Sequence, residues 1–174
     1  MHVALTKPSM RRVVAIASLA TACVSCGSLP GSTYAVTGEL ESNSCGTGQM
    51  APNPWQFTVQ VSEQNQTLSW NWLDDSPVLS APLSTSATAN LTATQTENVD
   101  AMADGGLGPC TLERDDAIDL TLAPGASPPT FSGTINYAFS VVSGSNCNDQ
   151  LSSGGGTYQV LPCAISYSIT ASRQ

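Results

Sequence analysis

The chain has 174 residues, of which 41% are hydrophobic and only 10% are charged, against about a quarter in an average soluble domain. Beyond residue 26, two arginines stand against thirteen acidic residues, a net charge of −11, with no lysine or histidine. This charge repels phosphate groups and argues against a nucleic-acid partner. The missing histidine excludes Ser-His-Asp catalysis and His-ligated zinc sites, and no metal or cofactor is predicted.

The N-terminal region has the pattern of an export signal. Met10-Arg11-Arg12 supplies positive charge, and residues 13–22 form an apolar run. This run has about half of the roughly 20 residues that a transmembrane helix needs. A cleaved signal is therefore predicted over residues 1–26.

The end of the apolar run resembles a bacterial lipoprotein signal, in which a small apolar triplet precedes the cysteine that becomes lipidated. The triplet Ala20-Thr21-Ala22 favours Cys23 as that cysteine, although the family prefers leucine where Ala20 stands. Cys26 is the alternative, because its use leaves an even number of cysteines in the body. Residues 27–32 then form a flexible tether.

The resemblance implies a place in the bacterial cell envelope, on the outer membrane or surface, with the membrane as a partner through the lipid anchor. Cleavage after Ala22 without lipidation is the alternative, and it implies a secreted or periplasmic protein. The chain as a whole is similar to small envelope lipoproteins that contain disulfides.

Residues 33–174 are predicted to form a single all-β domain. Side chains alternate between apolar and polar, as half-buried strands require, and residues 55–62 show this best. The sixth strand is expected to be interrupted by the charged run Glu113–Asp116. The predicted strands cover residues 34–45, 55–62, 68–72, 78–84, 87–96, 112–122, 131–141 and 161–169.

Short turns between these strands indicate a meander. About eight antiparallel strands in this order favour an up-and-down barrel like that of the lipocalins, with a β-sandwich as the alternative. A hollow barrel of this size can hold one small ligand.

Four cysteines of the body are expected at one rim of the barrel, where they form two disulfides. The favoured pairs are Cys147–Cys163, which is local, and Cys45–Cys110. The alternative, Cys45–Cys163 with Cys110–Cys147, holds if the first and last strands are neighbours. Four cysteines allow three connectivities, so spacing alone leaves the pairing open.

Three aromatic residues are candidates for lining a ligand cavity: Trp70, Trp72 and Tyr137. For the two tryptophans the preferred interpretation is that they fill the barrel core, since they share the inward face with Leu68.

The acidic residues suggest chemistry only weakly. Asp115, Asp116 and Asp119 offer oxygen ligands for calcium, but they lack the spacing of a calcium loop, and solvated charge is the preferred interpretation.

The sequence therefore predicts an exported, membrane-anchored envelope lipoprotein that is not an enzyme and serves as a binding or interaction module. Its expected partner is a small apolar ligand or an envelope protein. One alternative is a structural surface protein with a filled core. A hydrolase that uses two carboxylates, which needs no histidine, is a further alternative.

Overall fold

The computed structural model describes residues 31–49, 51–73, 76–99, 110–123 and 130–174. The predicted signal peptide and the lipidation candidates Cys23 and Cys26 lie outside these residues. Eight strands contain most of the described chain. They are β1 (Ser32–Asn43), β2 (Trp55–Gln64), β3 (Thr67–Asn71), β4 (Leu79–Pro82), β5 (Thr88–Val99), β6 (Cys110–Ala123), β7 (Thr130–Val141) and β8 (Cys163–Arg173).

The strands form one antiparallel sheet in the order β4-β3-β2-β1-β8-β7-β6-β5. Since β1 pairs with β8, the first and last strands are neighbours, and the sheet curves into a nearly closed barrel. Its two edges, β4 and β5, approach each other where the amide of Ser84 donates a hydrogen bond to the carbonyl of Thr88 (2.9 Å). The prediction of an all-β meander that forms a barrel is confirmed.

The barrel has two ends of different character. At one end β1 begins and β8 finishes, and we call it the closed end. There the amide of Gln174 donates to the carbonyl of Thr33 (2.9 Å). At the opposite end β1 finishes at Asn43 and β8 begins at Cys163, and we call it the mouth.

Apolar side chains fill the half of the barrel towards the closed end. Trp70 has no exposed surface, and its ring lies 5.7 Å from that of Phe131, which in turn lies 5.1 Å from Tyr34. Aliphatic side chains close the space between these rings. The largest of those with almost no exposed surface are Leu68, Leu91, Ile118, Leu120, Ile135 and Ile169.

Strand β6 runs without the interruption that its charged residues suggest. Asp115 faces outward, where it accepts a hydrogen bond from Thr94 (2.6 Å), and Asp119 likewise accepts one from Asn90 (2.6 Å). Arg114 and Asp116 share the inward face and neutralise each other. The alternation of side chains therefore continues through the charged run, and the predicted interruption is wrong.

Two disulfides join the mouth-side ends of the strands, but their pairing differs from the favoured one. Cys45 is bonded to Cys163 and Cys110 to Cys147, with Cα–Cα distances of 5.0 and 4.8 Å. Because β1 lies beside β8, Cys45 meets Cys163, and β6 and β7 bring the other pair together. The favoured pairs Cys147–Cys163 and Cys45–Cys110 are wrong. Structural disulfides indicate an oxidising, extracytoplasmic compartment.

The 3-10 turns Asn148–Gln150 and Ser152–Gly154 are the helical elements of the described chain, and both lie in the loop between β7 and β8. None of the described helices has the length and apolar character needed to cross a bilayer.

Candidate functional site: a cavity at the barrel mouth

A cavity of about 260 Å³ opens at the mouth. It lies between the inner face of strands β6 to β8 and the loop that joins β1 to β2. Its described lining is mainly aromatic or apolar, with one cation. The lining residues are Gln49, Pro52, Trp55, Arg114, Tyr137, Phe139, Ile165 and Tyr167.

Trp55, the first residue of β2, is the centre of the aromatic wall. Its ring centroid lies 4.3 Å from that of Phe57, 5.1 Å from Tyr167 and 6.2 Å from Tyr137. The indole lies over Gly38, its partner in β1, where a Cβ would make an ordinary contact with it at 3.6 Å. The rings hold each other in tilted arrangements typical of aromatic clusters.

A buried ion pair forms part of the inner wall. The Nε of Arg114 donates to Oδ1 of Asp116 (2.7 Å), and Nη2 donates to Oδ2 (2.9 Å), a two-point contact with well-fixed geometry. Gln95 on β5 adds a longer bond to Oδ2 (3.4 Å). The Asp116 side chain is 3% exposed and that of Arg114 is 39% exposed, so the arginine forms the surface of the pair.

The guanidinium of Arg114 is held between Asp116 and Tyr137, and it retains N–H groups that can donate hydrogen bonds. Its carbon lies 5.3 Å from the ring centroid of Tyr137, a cation–π distance. Burial lowers the pKa of Arg114, but the hydrogen bond and charge of Asp116, with Tyr137 and Glu97, outweigh burial, and the pKa is raised overall. Of its five N–H groups, the two on Nη1 make no hydrogen bond within the described chain.

Two described loops at the rim of the cavity are hydrogen-bonded to each other. Gln49 in the β1–β2 loop donates to the hydroxyl of Thr157 in the β7–β8 loop (2.8 Å), and the amide of Gln159 donates to the carbonyl of Cys45 (2.6 Å). Tyr158 packs on Phe139 with centroids 5.6 Å apart. Both disulfides lie at this rim, so covalent bonds as well as hydrogen bonds join the described parts of the mouth.

Of the three residues that the sequence offers as candidates for lining a cavity, one lies in the lining of this cavity and two do not. Tyr137 lines the cavity as predicted. Trp70 does not, because it belongs to the filled core, and Trp72 lies behind the lining, 6.0 Å from Trp55 and 5.2 Å from Trp70. The interpretation that the tryptophans belong to the core, which their inward parity favours, fits Trp70, and neither tryptophan lines this cavity.

Trp55, Arg114, Phe139 and Tyr167 were not singled out by sequence reasoning. The sequence does contain a signal for Arg114. It is separated from Leu112 and Ile118 by an even number of positions, so in a strand its side chain lies on the same inward face of β6.

A larger depression, of about 460 Å³, lies on the outer surface near the closed end. Small and hydroxyl-bearing residues such as Ala35, Thr37, Thr170 and Ser172 line it together with Leu122 and Phe131, and its described lining contains no charged side chain. We place the candidate site at the mouth, where aromatic surface and an ion meet.

The acidic residues considered for calcium do not converge, since Asp116 faces inward while Asp115 and Asp119 face outward. Within the described ranges, no three His, Cys, Asp or Glu residues are grouped in a way that could hold a metal ion.

Comparison of the whole chain with protein-family models, curated proteins and solved structures found no match.

Proposed function

We propose that this protein is an exported envelope lipoprotein that binds one small, largely apolar ligand in the cavity at its mouth, without chemical turnover. The observation that carries this proposal is the rigid cavity, walled by Trp55, Tyr137 and Tyr167 in an otherwise filled barrel. Ligand sites are typically concave and mostly apolar, with a few polar groups that fix orientation.

The position of the chain ends supports this use of the mouth. Strand β1 begins at the closed end, so a tether over residues 27–32 leaves the barrel there. A lipid on Cys23 or Cys26 would hold the closed end towards the membrane. The mouth would then face away from the membrane and meet ligands or envelope proteins freely.

The alternative of a structural surface protein has support in the filled half of the barrel. A purely structural barrel, however, does not need a concave aromatic surface left open beside a half-exposed arginine. Hydrolysis by two carboxylates would require a facing pair, whereas the described lining contributes no carboxylate. We therefore favour ligand binding.

Mass spectrometry of the mature N-terminus tests the location. We expect a diacylated or triacylated cysteine at position 23 or 26. A mature chain that begins at Cys23 without a lipid would contradict the proposed anchor and indicate a secreted protein.

Titration with naphthalene, followed by amide NMR, tests the binding function. We expect shifts confined to the cavity lining, and weaker binding in the variant Trp55→Leu. The matched control is Thr170→Val, in the outer depression, which should bind as the unaltered protein does. Naphthalene that leaves the lining resonances unmoved would support the structural alternative instead.

A further inference from the structure

Resting on the binding function proposed above, we propose that the cavity selects a flat, conjugated ligand bearing a neutral hydrogen-bond acceptor, such as a ketone, quinone or ester carbonyl. The acceptor receives its hydrogen bond from the Nη1 edge of Arg114. The geometry that points to this class is the juxtaposition of that edge with the aromatic wall.

The first step concerns the donor. Arg114 is the charged member of the described lining, and its Nε and Nη2 are committed to Asp116. Tyr137 lies against the guanidinium and Asp116 lies behind it, so the side chain cannot turn away without losing both contacts. The Nη1 edge is thus a donor aimed by the fold rather than by the ligand, which is how binding sites fix ligand orientation.

The second step concerns charge. Asp116 lies within hydrogen-bond distance of the guanidinium and cancels its charge, and the charge of Glu97 also acts on Arg114. The body around the site carries a net charge of −11 from two arginines and thirteen acidic residues. A carboxylate ligand would lose hydration and gain little attraction here. A neutral carbonyl receives the hydrogen bond without that cost.

The third step concerns shape and size. Trp55 and Tyr137 present ring surfaces, against which planar molecules pack well, and the buried ring of Tyr167 packs against Trp55. The volume of about 260 Å³ lies just below the range of about 300–1,000 Å³ that is usual for drug-sized ligands. One or two fused rings with a short substituent fit this space.

Three probes of similar planar shape separate these features: 2-acetylnaphthalene, 2-naphthoate and 2-isopropenylnaphthalene. They carry a neutral acceptor, an anionic acceptor and no acceptor. The protein is the full chain with Cys23→Ser and Cys26→Ser, exported without lipid so that no detergent competes for the probes. Dissociation constants come from amide NMR titrations, and the Nε–H signal of Arg114 reports contact with the guanidinium.

We expect the ketone to bind about tenfold more tightly than the hydrocarbon, the effect of about one hydrogen bond to a charged group. The carboxylate should bind more weakly than the ketone. The Nε–H signal of Arg114 should move with the ketone but not with the hydrocarbon.

The decisive variant is Arg114→Met with Asp116→Leu, which removes the donor and leaves no buried charge unpaired. It should lose the preference for the ketone, so that the ketone and the hydrocarbon bind this variant with equal affinity, whatever that affinity is. Arg173→Met, at the closed end, is the control and should keep the preference. Amide spectra confirm that each variant is folded.

The outcomes distinguish the two proposals. If no probe binds at the mouth, the binding function itself is wrong, and this inference fails with it. If the three probes bind there with equal affinity, the binding function stands and the role of Arg114 is wrong. If the carboxylate binds most tightly, the cavity selects anions, and the proposal of a neutral acceptor is wrong.

Discussion

Arg114 and Asp116 lie two residues apart on one strand, face the interior of the barrel and meet in a two-point ion pair, with Nε–Oδ1 of 2.7 Å. The burial of its two members is unequal, and this inequality has consequences for stability.

Removing the arginine should destabilise the fold more than removing the aspartate. Arg114→Met leaves the carboxylate of Asp116, which is 3% exposed, with only the long contact to Gln95. We expect a loss of about 2–4 kcal/mol, somewhat below the range for fully buried pairs. Asp116→Leu leaves a guanidinium that still reaches water, and we expect a loss of about 1 kcal/mol. Urea unfolding measures both.

The double variant completes a double-mutant cycle on this ion pair. Arg114→Met with Asp116→Leu should lie within about 1 kcal/mol of the unaltered protein, because no unpaired charge remains. Losses that simply add would show that the two side chains do not depend on each other.

The two disulfides should contribute unequally to stability. They close loops of 118 and 37 residues for Cys45–Cys163 and Cys110–Cys147. The chain-entropy relation gives about 4.9 and about 3.8 kcal/mol, so replacing the first pair by alanines should cost about 1 kcal/mol more. Guanidinium unfolding of the two double variants tests the order. A reversed order would indicate that fastening the rim loops matters more than loop length.

Two glycines of the barrel should respond in opposite ways to alanine. A Cβ at Gly133 would overlap the backbone oxygen of Asp119, so Gly133→Ala must force β6 and β7 apart, at about 1–3 kcal/mol. A Cβ at Gly38 would meet Tyr167 at 3.5 Å, an ordinary contact. Gly38→Ala should stabilise by about 0.4–1 kcal/mol, because alanine restricts the unfolded chain. Thermal unfolding of both variants is the measurement, and equal shifts would contradict the prediction.

Trp70 should tolerate phenylalanine far better than alanine. Its indole Nε1 is buried with no hydrogen-bond partner in the described chain. Phenylalanine loses some packing but removes this unsatisfied donor, so Trp70→Phe should change stability by less than about 1 kcal/mol. Trp70→Ala should cost about 3–5 kcal/mol, because it opens a cavity among Phe57, Phe131 and Trp72. A large cost for Trp70→Phe would show that the indole nitrogen has a partner.

Stability should fall in alkaline solution through buried tyrosines. Burial raises the pKa of Tyr34, Tyr158 and Tyr167 above the ordinary value of 10.0. The unfolded chain therefore loses these protons first, and the contribution is complete below pH 10 and disappears as pH rises through the folded-state pKa. Melting temperatures between pH 8 and 12 should decline above pH 10. The decline should be shallower in Tyr34→Phe. An unchanged slope would show that ionisation of Tyr34 does not contribute to the loss of stability.

Much of the fold follows from alternation of polar and apolar residues, because a strand with one buried face must repeat every two residues. All eight strands, their order in a meander and the gathering of the cysteines at one rim were predictable in this way. The expected interruption of strand β6 rests on reading four consecutive charged residues as a single polar segment, without regard to the face on which each side chain lies. Taken by parity, Arg114 and Asp116 face inward and Glu113 and Asp115 outward.

The disulfide pairing and the cavity were beyond local patterns, because both depend on how the sheet closes. The pairing of β1 with β8 decides that Cys45 meets Cys163, and no spacing in the sequence encodes it. Likewise, Trp55, Trp70 and Trp72 share one alternation. Trp55 lies at the mouth end of β2, whereas Trp70 is buried in the core on β3, and this difference follows from how the strands are placed in the closed sheet.

The contact between Gln174 and Thr33 brings the two ends of the described chain together on the side opposite the cavity. An affinity tag or a sensor chip attached through either end would leave the cavity equally accessible. The same proximity suits circular permutation, in which a short linker joins the old ends and the tight hairpin at Asn65-Gln66 is opened to make new ones.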